Sequence, residues 1–245
     1  MSVLVMQLAG PLQSWGASSR FARRSTEPAP TKSGIIGLLA AAQGRQRWEN
    51  LDDLAALRFG VRVDQRGTVL RDFHTAHRFT TGEALPVSER FYLADAVFVA
   101  ALEGEPVLID QLYRALLTPV FLPYLGRRSC PPSRPVDLDL HHNLTLEEAL
   151  RKQKWRAACW YQRRHREASH VDLELLLEAT AADGQVESLR DQPISFDPLH
   201  RRYALRGVRR DRVNVPNPAA RPTHATRAAR AARPDHDPTS VLGDA

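Results

Sequence analysis

A chain of 245 residues with a formal net charge of +6 and 43% hydrophobic residues can bury one good core, and its two cysteines exclude a disulfide framework or a zinc cluster. Lys32, Lys152 and Lys154 are the lysines and the other 31 basic residues are arginines, so an anionic partner fits the charge, although a GC-rich coding sequence accounts for an Arg excess equally well. No apolar run nears the roughly 20 residues of a membrane span and the N-terminus lacks a signal-peptide pattern, so a soluble, cytoplasmic protein is expected.

Val3–Leu8 is an apolar run of strand length. Gly10-Pro11 ends it and opens a polar loop, Leu8 to Gly16, carrying one indole, Trp15, that reads as exposed. Pro30-Thr31-Lys32-Ser33-Gly34 starts a helix over Ser33–Gln43, capped by Thr31 or Ser33 and ended by Gly44. A helix start offers unpaired N–H groups and a partial positive charge. With Gln13, Ser14, Trp15 and Lys32 nearby, the strand-loop-helix unit predicts a phosphate-and-base site. Gly34-Ile35-Ile36-Gly37 has the GXXG spacing of a KH loop, but the run Leu38 to Ala42 makes it the opening of a buried helix whose glycines approach a sheet.

A short helix is expected at Leu51–Leu57. A strand follows at Arg58–Asp64, where Phe59, Val61 and Val63 alternate with Arg58, Arg62 and Asp64 as in a half-buried edge strand. Thr68–Thr75 reads as another strand, and His77–Glu89 as a polar excursion turning at Gly82. Phe91–Leu102 reads as a continuous apolar strand broken only by Asp95. Helix Pro106–Leu117 sets Leu108, Leu112 and Leu116 toward a sheet. The order β-α-β…β-α predicts an α+β chain with a ferredoxin-like arrangement and a long inserted hairpin. A Pro-rich loop, Leu122–Pro135, a charged helix, Thr145–Trp155, and strands Val171–Ala179 and Tyr203–Val213 complete a domain over residues 1–213. The Pro-, Ala- and Arg-rich tail 214–245 has too little apolar surface to order itself.

Among the loops, Tyr124-Leu125-Gly126-Arg127-Arg128-Ser129-Cys130-Pro131-Pro132 stands out. Gly126 permits an unusual backbone angle and the prolines stiffen the exit, so Arg127 and Arg128 read as a rigid clamp on a phosphate backbone. His74 with His77, and His141 with His142, have metal-like spacing but no accompanying cysteine or carboxylate cluster, so neither a metal nor another cofactor is expected. Trp155, Trp160 and Tyr161 interleave with Arg156, Arg163, Arg164 and Arg166, a pattern that serves base stacking or half-buried packing. Arg227, Arg230 and Arg233 in the tail read as a solvated basic run.

In order and spacing, Leu8–Gly16, Pro30–Leu39, Arg71-Asp72-Phe73-His74-Thr75 and Tyr124–Pro131 resemble the CasD family of type I-E CRISPR Cascade subunits, within the RAMP superfamily, over about Val3 to Val213. The resemblance implies a modified ferredoxin-like (RRM-like) domain with an inserted β-hairpin thumb near His77–Glu89. It also implies a non-catalytic, RNA-binding subunit for antiviral defence that caps the 5′ end of a CRISPR RNA (crRNA) and holds its 5′ handle. Such a subunit contacts the backbone and large subunits and meets target DNA only indirectly. Carried over by position, the RNA-binding residues are Gln13, Ser14, Trp15, Lys32, Ser33, Arg71, His74, Arg127, Arg128 and Ser129. A related type I-C branch cleaves precursor RNA with Tyr, Lys and His, the last two adjacent; this chain has no Lys-His dipeptide. A metal-independent endoribonuclease using His74 with Tyr92 or Tyr124 is therefore the second reading. A free-standing duplex-DNA binder would need a groove-reading element, and the sequence offers none.

Overall fold

The computed structural model describes residues 1–17, 23–184 and 186–221. In chain order the elements are β1 (Ser2–Ala9), β2 (Leu12–Gln13), β3 (Arg23–Arg24), α1 (Lys32–Ala42), α2 (Asp52–Ala55), β4 (Arg58–Gln65), β5 (Thr68–His74) and β6 (Ser88–Ala94). They continue with β7 (Val97–Gly104), α3 (Pro106–Leu117), β8 (Asp137–His141), α4 (Leu146–Lys152), α5 (Cys159–Arg164), β9 (His170–Glu178), β10 (Glu187–Ser195) and β11 (Arg202–Pro216). The class is α+β, as expected.

A seven-stranded sheet, ordered β10-β11-β9-β4-β7-β1-β8 with antiparallel neighbours, forms the centre. Side chains alternate across a strand, so β1 feeds two cores. Leu4, Met6 and Leu8 meet Ile35, Ile36 and Leu39 of α1, whereas Val3 and Val5 meet Leu146, Ala149 and Leu150 of α4. Both faces of the central strands are thus covered, which accounts for the largely apolar character of β1 and β7.

Three features of the sheet differ from the sequence reading. Strand β4 is not an edge: it lies between β7 and β9. Its polar positions are internal, with Arg62 and Asp64 at 0% and 1% exposure and joined by two bonds of 2.7 and 2.9 Å. The Phe91–Leu102 run is two strands in two sheets, separated where Asp95 adopts a left-handed φ of 56°. The boundary at Asn214 also moves, because β11 continues to Pro216, with Val215 in it and Asn217 just after it both buried. Residues 222–245, including Arg227, Arg230 and Arg233, lie outside the described residues.

A smaller sheet is built on β6, which pairs antiparallel with β5 and β2 and parallel with β3. Strands β5 and β6 form a long hairpin in register from Thr68↔Ala94 to His74↔Ser88, with a further bridge His77↔Ala84. The excursion at 77–89 is its far end, and it is less polar than expected, since Phe79, Leu85 and Val87 are exposed there. Among the described residues no helix is long and apolar enough to cross a membrane.

Candidate nucleic-acid interface

The loop after β1 turns inward. Gln13 is fully buried, and its Nε2 donates to the carbonyls of Leu8 (3.1 Å) and Ala96 (2.8 Å), while its Oε1 accepts the Trp15 indole N–H at 3.1 Å. Trp15 is 0% exposed and packs over Gly34, where an added Cβ would lie 2.8 Å from the indole Cε3. The expectation of an exposed, base-stacking Trp15 is therefore corrected: Gln13 and Trp15 are core residues beneath the site. Gly34 serves this indole rather than close approach to a sheet. Ser14 is buried too, its hydroxyl donating to the Phe91 carbonyl at 3.0 Å.

The start of α1 is likewise spoken for. Thr31 is the N-cap, its Oγ1 accepting from Gly34 N–H at 3.3 Å. The Lys32 N–H donates to Asp191 Oδ2 at 2.8 Å, and Arg206 holds that carboxylate through bonds of 2.9 and 2.8 Å. A carboxylate already fills the place a phosphate would take at this helix end. The Lys32 ammonium is 1% exposed and bonds both oxygens of Glu178, at 3.0 and 3.1 Å. Burial pulls its pKa below the ordinary lysine value, and the Glu178 carboxylate opposes that shift. Lys32 and the helix terminus are structural, contrary to the phosphate site expected there. Ser33 is 7% exposed and lines the concavity described below, its hydroxyl 3.5 Å from Thr31 Oγ1.

The loop at Tyr124–Cys130 behaves as its sequence implies. Gly126 has φ +83°, and an added Cβ would fall 1.8 Å from the Ser14 carbonyl oxygen, so glycine is required by both angle and space. Leu125 and Cys130 are fully buried anchors, and Leu125 N–H donates to the Cys130 carbonyl at 2.7 Å. Pinned this way, Arg127 lies with its Cζ 4.9 Å from the Tyr92 ring centroid and donates through Nη2 to the Arg24 carbonyl at 3.0 Å. Among the described residues its Nη1 has no hydrogen-bond partner. Arg128 and Ser129 are exposed.

These pieces border a cleft of about 790 Å³ along α1, between the loop at 121–131 and the segment at 196–203. Among the described residues six arginines line it, Arg24, Arg45, Arg47, Arg127, Arg128 and Arg201, and no carboxylate does, although Arg45 bonds Asp53 outside the lining at 2.7 Å. Phe121, Tyr124, Phe196 and Tyr203 add ring surface, the last two with centroids 6.3 Å apart. Cationic groups beside aromatic faces in one groove are what a single-stranded nucleic acid requires: phosphate charge is met by guanidinium, and bases stack on rings. An RRM-style stack on the open sheet is not available here, because α1, α3 and α4 cover the sheet.

The cleft gathers Ser14, Trp15, Ser33, Arg127 and Arg128 from the residues expected at the site, with Trp15 fully buried at its base. It excludes Arg71 and His74, which lie on the hairpin. Arg71 bonds Glu89 at 2.6 Å and stands 4.7 Å over the Phe73 ring. His74 Nε2 lies 2.6 Å from Asp72 Oδ2 and 3.4 Å from the Tyr92 hydroxyl, and Tyr92 is 2% exposed. The sequence reading missed Arg24, Arg45, Arg47, Phe196, Arg201 and Tyr203. Arg45-Gln46-Arg47-Trp48 and Arg201-Arg202-Tyr203 interleave basic and aromatic residues as 155–166 do, a signal that flags Arg45, Arg47, Arg201 and Tyr203 one segment at a time but not Arg24 or Phe196. A second concavity, of about 780 Å³, carries Asp172, Glu174 and Asp211 beside Arg66, Arg210 and Arg212, with Asp64, held by the buried Arg62, also in its lining. Its balanced charge makes it a poorer match for a polyanion.

Known proteins place the chain. The family model described as CRISPR-associated protein (Cas_Cas5) matches residues 3–209. The CRISPR system Cascade subunit CasD of Escherichia coli (strain K12) is 39% identical over 158 residues, spanning 56% of this chain and 70% of that protein. A solved structure described as a crystal structure of Cas protein is 39% identical with a TM-score of 0.65, covering 90% of this chain and 98% of that one. A chain of a CRISPR RNA-guided surveillance complex is 34% identical with a TM-score of 0.71, covering 93% and 96%. With nearly the whole globular region matched, the chain belongs to the CRISPR-associated Cas5 family and within it is similar to the Cascade subunit CasD.

Proposed function

We propose that this chain is a non-catalytic RNA-binding subunit of a CRISPR Cascade surveillance complex, in which it caps a crRNA and holds its 5′ handle in the arginine cleft. The observation that carries this reading is the lining of the cleft, which among the described residues has six arginines and no carboxylate, in a chain of the Cas5 family. Phosphates of the handle lie along Arg47, Arg127, Arg128 and Arg201, and unpaired bases stack against Phe196, Tyr203 and Phe121. Other Cascade subunits, the backbone and the large subunit, are the protein partners.

The unit β1-α1-β4-β7-α3-β8, with strand order β4-β7-β1-β8, fits the ferredoxin-like arrangement. The β5–β6 hairpin, which leaves the main sheet between β4 and β7, fits the thumb. An enzymatic role for His74 has less support. Its ring is engaged by Asp72, the Tyr92 hydroxyl beside it is buried, and neither His74 nor Tyr92 lines the cleft. The test is co-purification of the chain with the products of its neighbouring genes, followed by sequencing of the retained RNA. A pool sharing one 5′ end is expected; RNA of random ends, or none, overturns the reading. Metal-free cleavage of a repeat RNA by the isolated chain, abolished by His74→Ala, would establish the enzymatic alternative.

A further inference from the structure

We propose that α5 and the connection leading into it form a second nucleic-acid surface, which takes a single strand distinct from the one held in the cleft. It lies across the seven-stranded sheet from that cleft. Helix α1 packs with Leu4, Met6 and Leu8 of β1, whereas Trp155, Ala157 and Tyr161 pack in the core of Val3 and Val5, whose side chains point the other way.

Helix α5 buries none of its residues. Trp160 is 53% exposed and stands edge-on to Tyr161 at 5.6 Å, and Tyr161 in turn stands edge-on to Trp155 at 6.1 Å. Arg163 and Arg164 follow Trp160 by three and four positions, the spacing that puts side chains on one side of a helix. Lys152, the last residue of α4, and Lys154, in the connection that follows it, are exposed. Among the described residues these four cations have no carboxylate partner, whereas Arg151, Arg209 and Arg210 nearby are all paired.

This crest is held from within. Arg62, at 0% exposure, donates to the carbonyls of Leu150 (2.8 Å), Gln153 (2.6 Å) and Lys154 (2.7 Å). Asp64 accepts from Arg156 N–H at 2.6 Å, its carbonyl accepts the Trp155 indole N–H at 2.8 Å, and Gln65 Oε1 accepts from Ala158 N–H at 2.9 Å. A buried ion pair is costly to desolvate unless every group is bonded. Here the bonding fixes an irregular segment that would otherwise move. A fixed crest loses little conformational freedom when it binds.

The chemistry specifies the occupant. A half-exposed indole beside unpaired cations suits bases and phosphates of a single strand. The adjoining concavity sets Asp172, Glu174 and Asp211 beside Arg66, Arg210 and Arg212 and has no cationic excess, so the cations from Lys152 to Arg164 are the better match for an anionic strand. This surface does not depend on the function proposed for the cleft.

The test uses the full chain and a fluorescein-labelled oligothymidylate of about eight nucleotides, within the site size of one single-strand-binding fold. Stoichiometric anisotropy titrations compare four proteins: wild type, Trp160→Ala/Arg163→Ala/Arg164→Ala, a cleft variant with Arg127→Ala/Arg128→Ala/Arg201→Ala, and the combination. The expected result is two probes per chain in wild type, one in either variant and none in the combination. At the crest, the loss of affinity should be roughly 10-fold or more, with a log–log salt slope shallower by about one to two units. Unaltered stoichiometry and affinity in the crest variant overturn the proposal, whereas an unaltered cleft variant overturns only the cleft reading. If the triple variant melts early, Arg163→Glu/Arg164→Glu with Trp160 in place decides the matter: unchanged probe binding by that folded protein also refutes the crest.

Discussion

Trp15→Ala separates a core role from a contact role at the residue where sequence and structure disagree most. The side chain is 0% exposed, in the core that also holds Leu8, Ile35 and Leu39, and its indole N–H is the donor to Gln13 Oε1 at 3.1 Å. Truncation removes the whole ring from a packed interior, a change that costs about 3–5 kcal/mol. It also strands a buried amide oxygen, whose penalty of about 1–3 kcal/mol moves the loss to the upper end. For a domain of this size each kcal/mol lowers the melting temperature by roughly 2–4 °C, so a fall of roughly 10–20 °C is expected. Circular dichroism of the free subunit reads it directly, with Trp15→Phe as a partner variant that restores most of the volume but not the N–H. A Trp15→Ala protein melting within about 2 °C of wild type would refute the core assignment and return the indole to a partner surface.

Gly126→Ala should cost about 1–2 kcal/mol from its φ of +83° alone, and more because the new Cβ meets the Ser14 carbonyl at 1.8 Å. Gly82→Ala, at φ +70° with nothing within 4 Å, carries the backbone cost only, so equal urea midpoints for the two variants would sink the steric argument. Burial, and secondarily the Asp191 carboxylate, raise the pKa of Glu27 above its ordinary 4.5. The folded state therefore holds this proton more tightly, and the stability it contributes is present below pH 4.5 and lost as pH rises through the raised value. Glu27→Gln should melt higher than wild type at pH 7, by a margin that shrinks toward pH 4; a pH-independent margin contradicts the shift. Replacing Arg78 through Ser88 with a Gly-Ser turn should leave the melting temperature of the free chain nearly unchanged, since Phe79 and Val87 are exposed. The same protein should be poorly retained in the reconstituted complex on size exclusion, and full incorporation would remove the thumb role.

Local signals in the sequence were enough for elements whose pattern is satisfied locally. Helix α1 with its Thr31 cap and Gly44 exit, and α3 at Pro106–Leu117, lie where cap chemistry and apolar spacing put them. The Gly126 loop was legible because its demand for a left-handed angle is written in one residue. What failed was settled by partners far along the chain. Lys32 looks like a phosphate ligand until Glu178 and Asp191 arrive from β9 and β10, the latter a strand too polar to announce itself. Arg62 and Asp64 produce the same alternation whether they face water or each other, and only the neighbouring strands decide. A single left-handed residue, Asp95, divides one apolar run between two sheets, and Asp rarely signals that conformation by itself. The cleft was half legible: Arg127 and Arg128 stood out in a framed loop, whereas Arg47 and Arg201 reach it from segments that fold together only in three dimensions.

The central claim, that guanidinium groups of one cleft hold the RNA, is tested most directly by the salt dependence of binding to a handle-bearing crRNA. Fluorescence anisotropy across a series of salt concentrations would compare wild type with Arg47→Ala/Arg127→Ala/Arg128→Ala/Arg201→Ala. Single-strand affinity falls with a log–log slope of about −0.7 per neutralised phosphate, so losing four arginines should flatten the slope by up to about three units while the fold survives. A slope unchanged in a folded quadruple variant would contradict the account, because the RNA would then be held somewhere other than the arginine cleft.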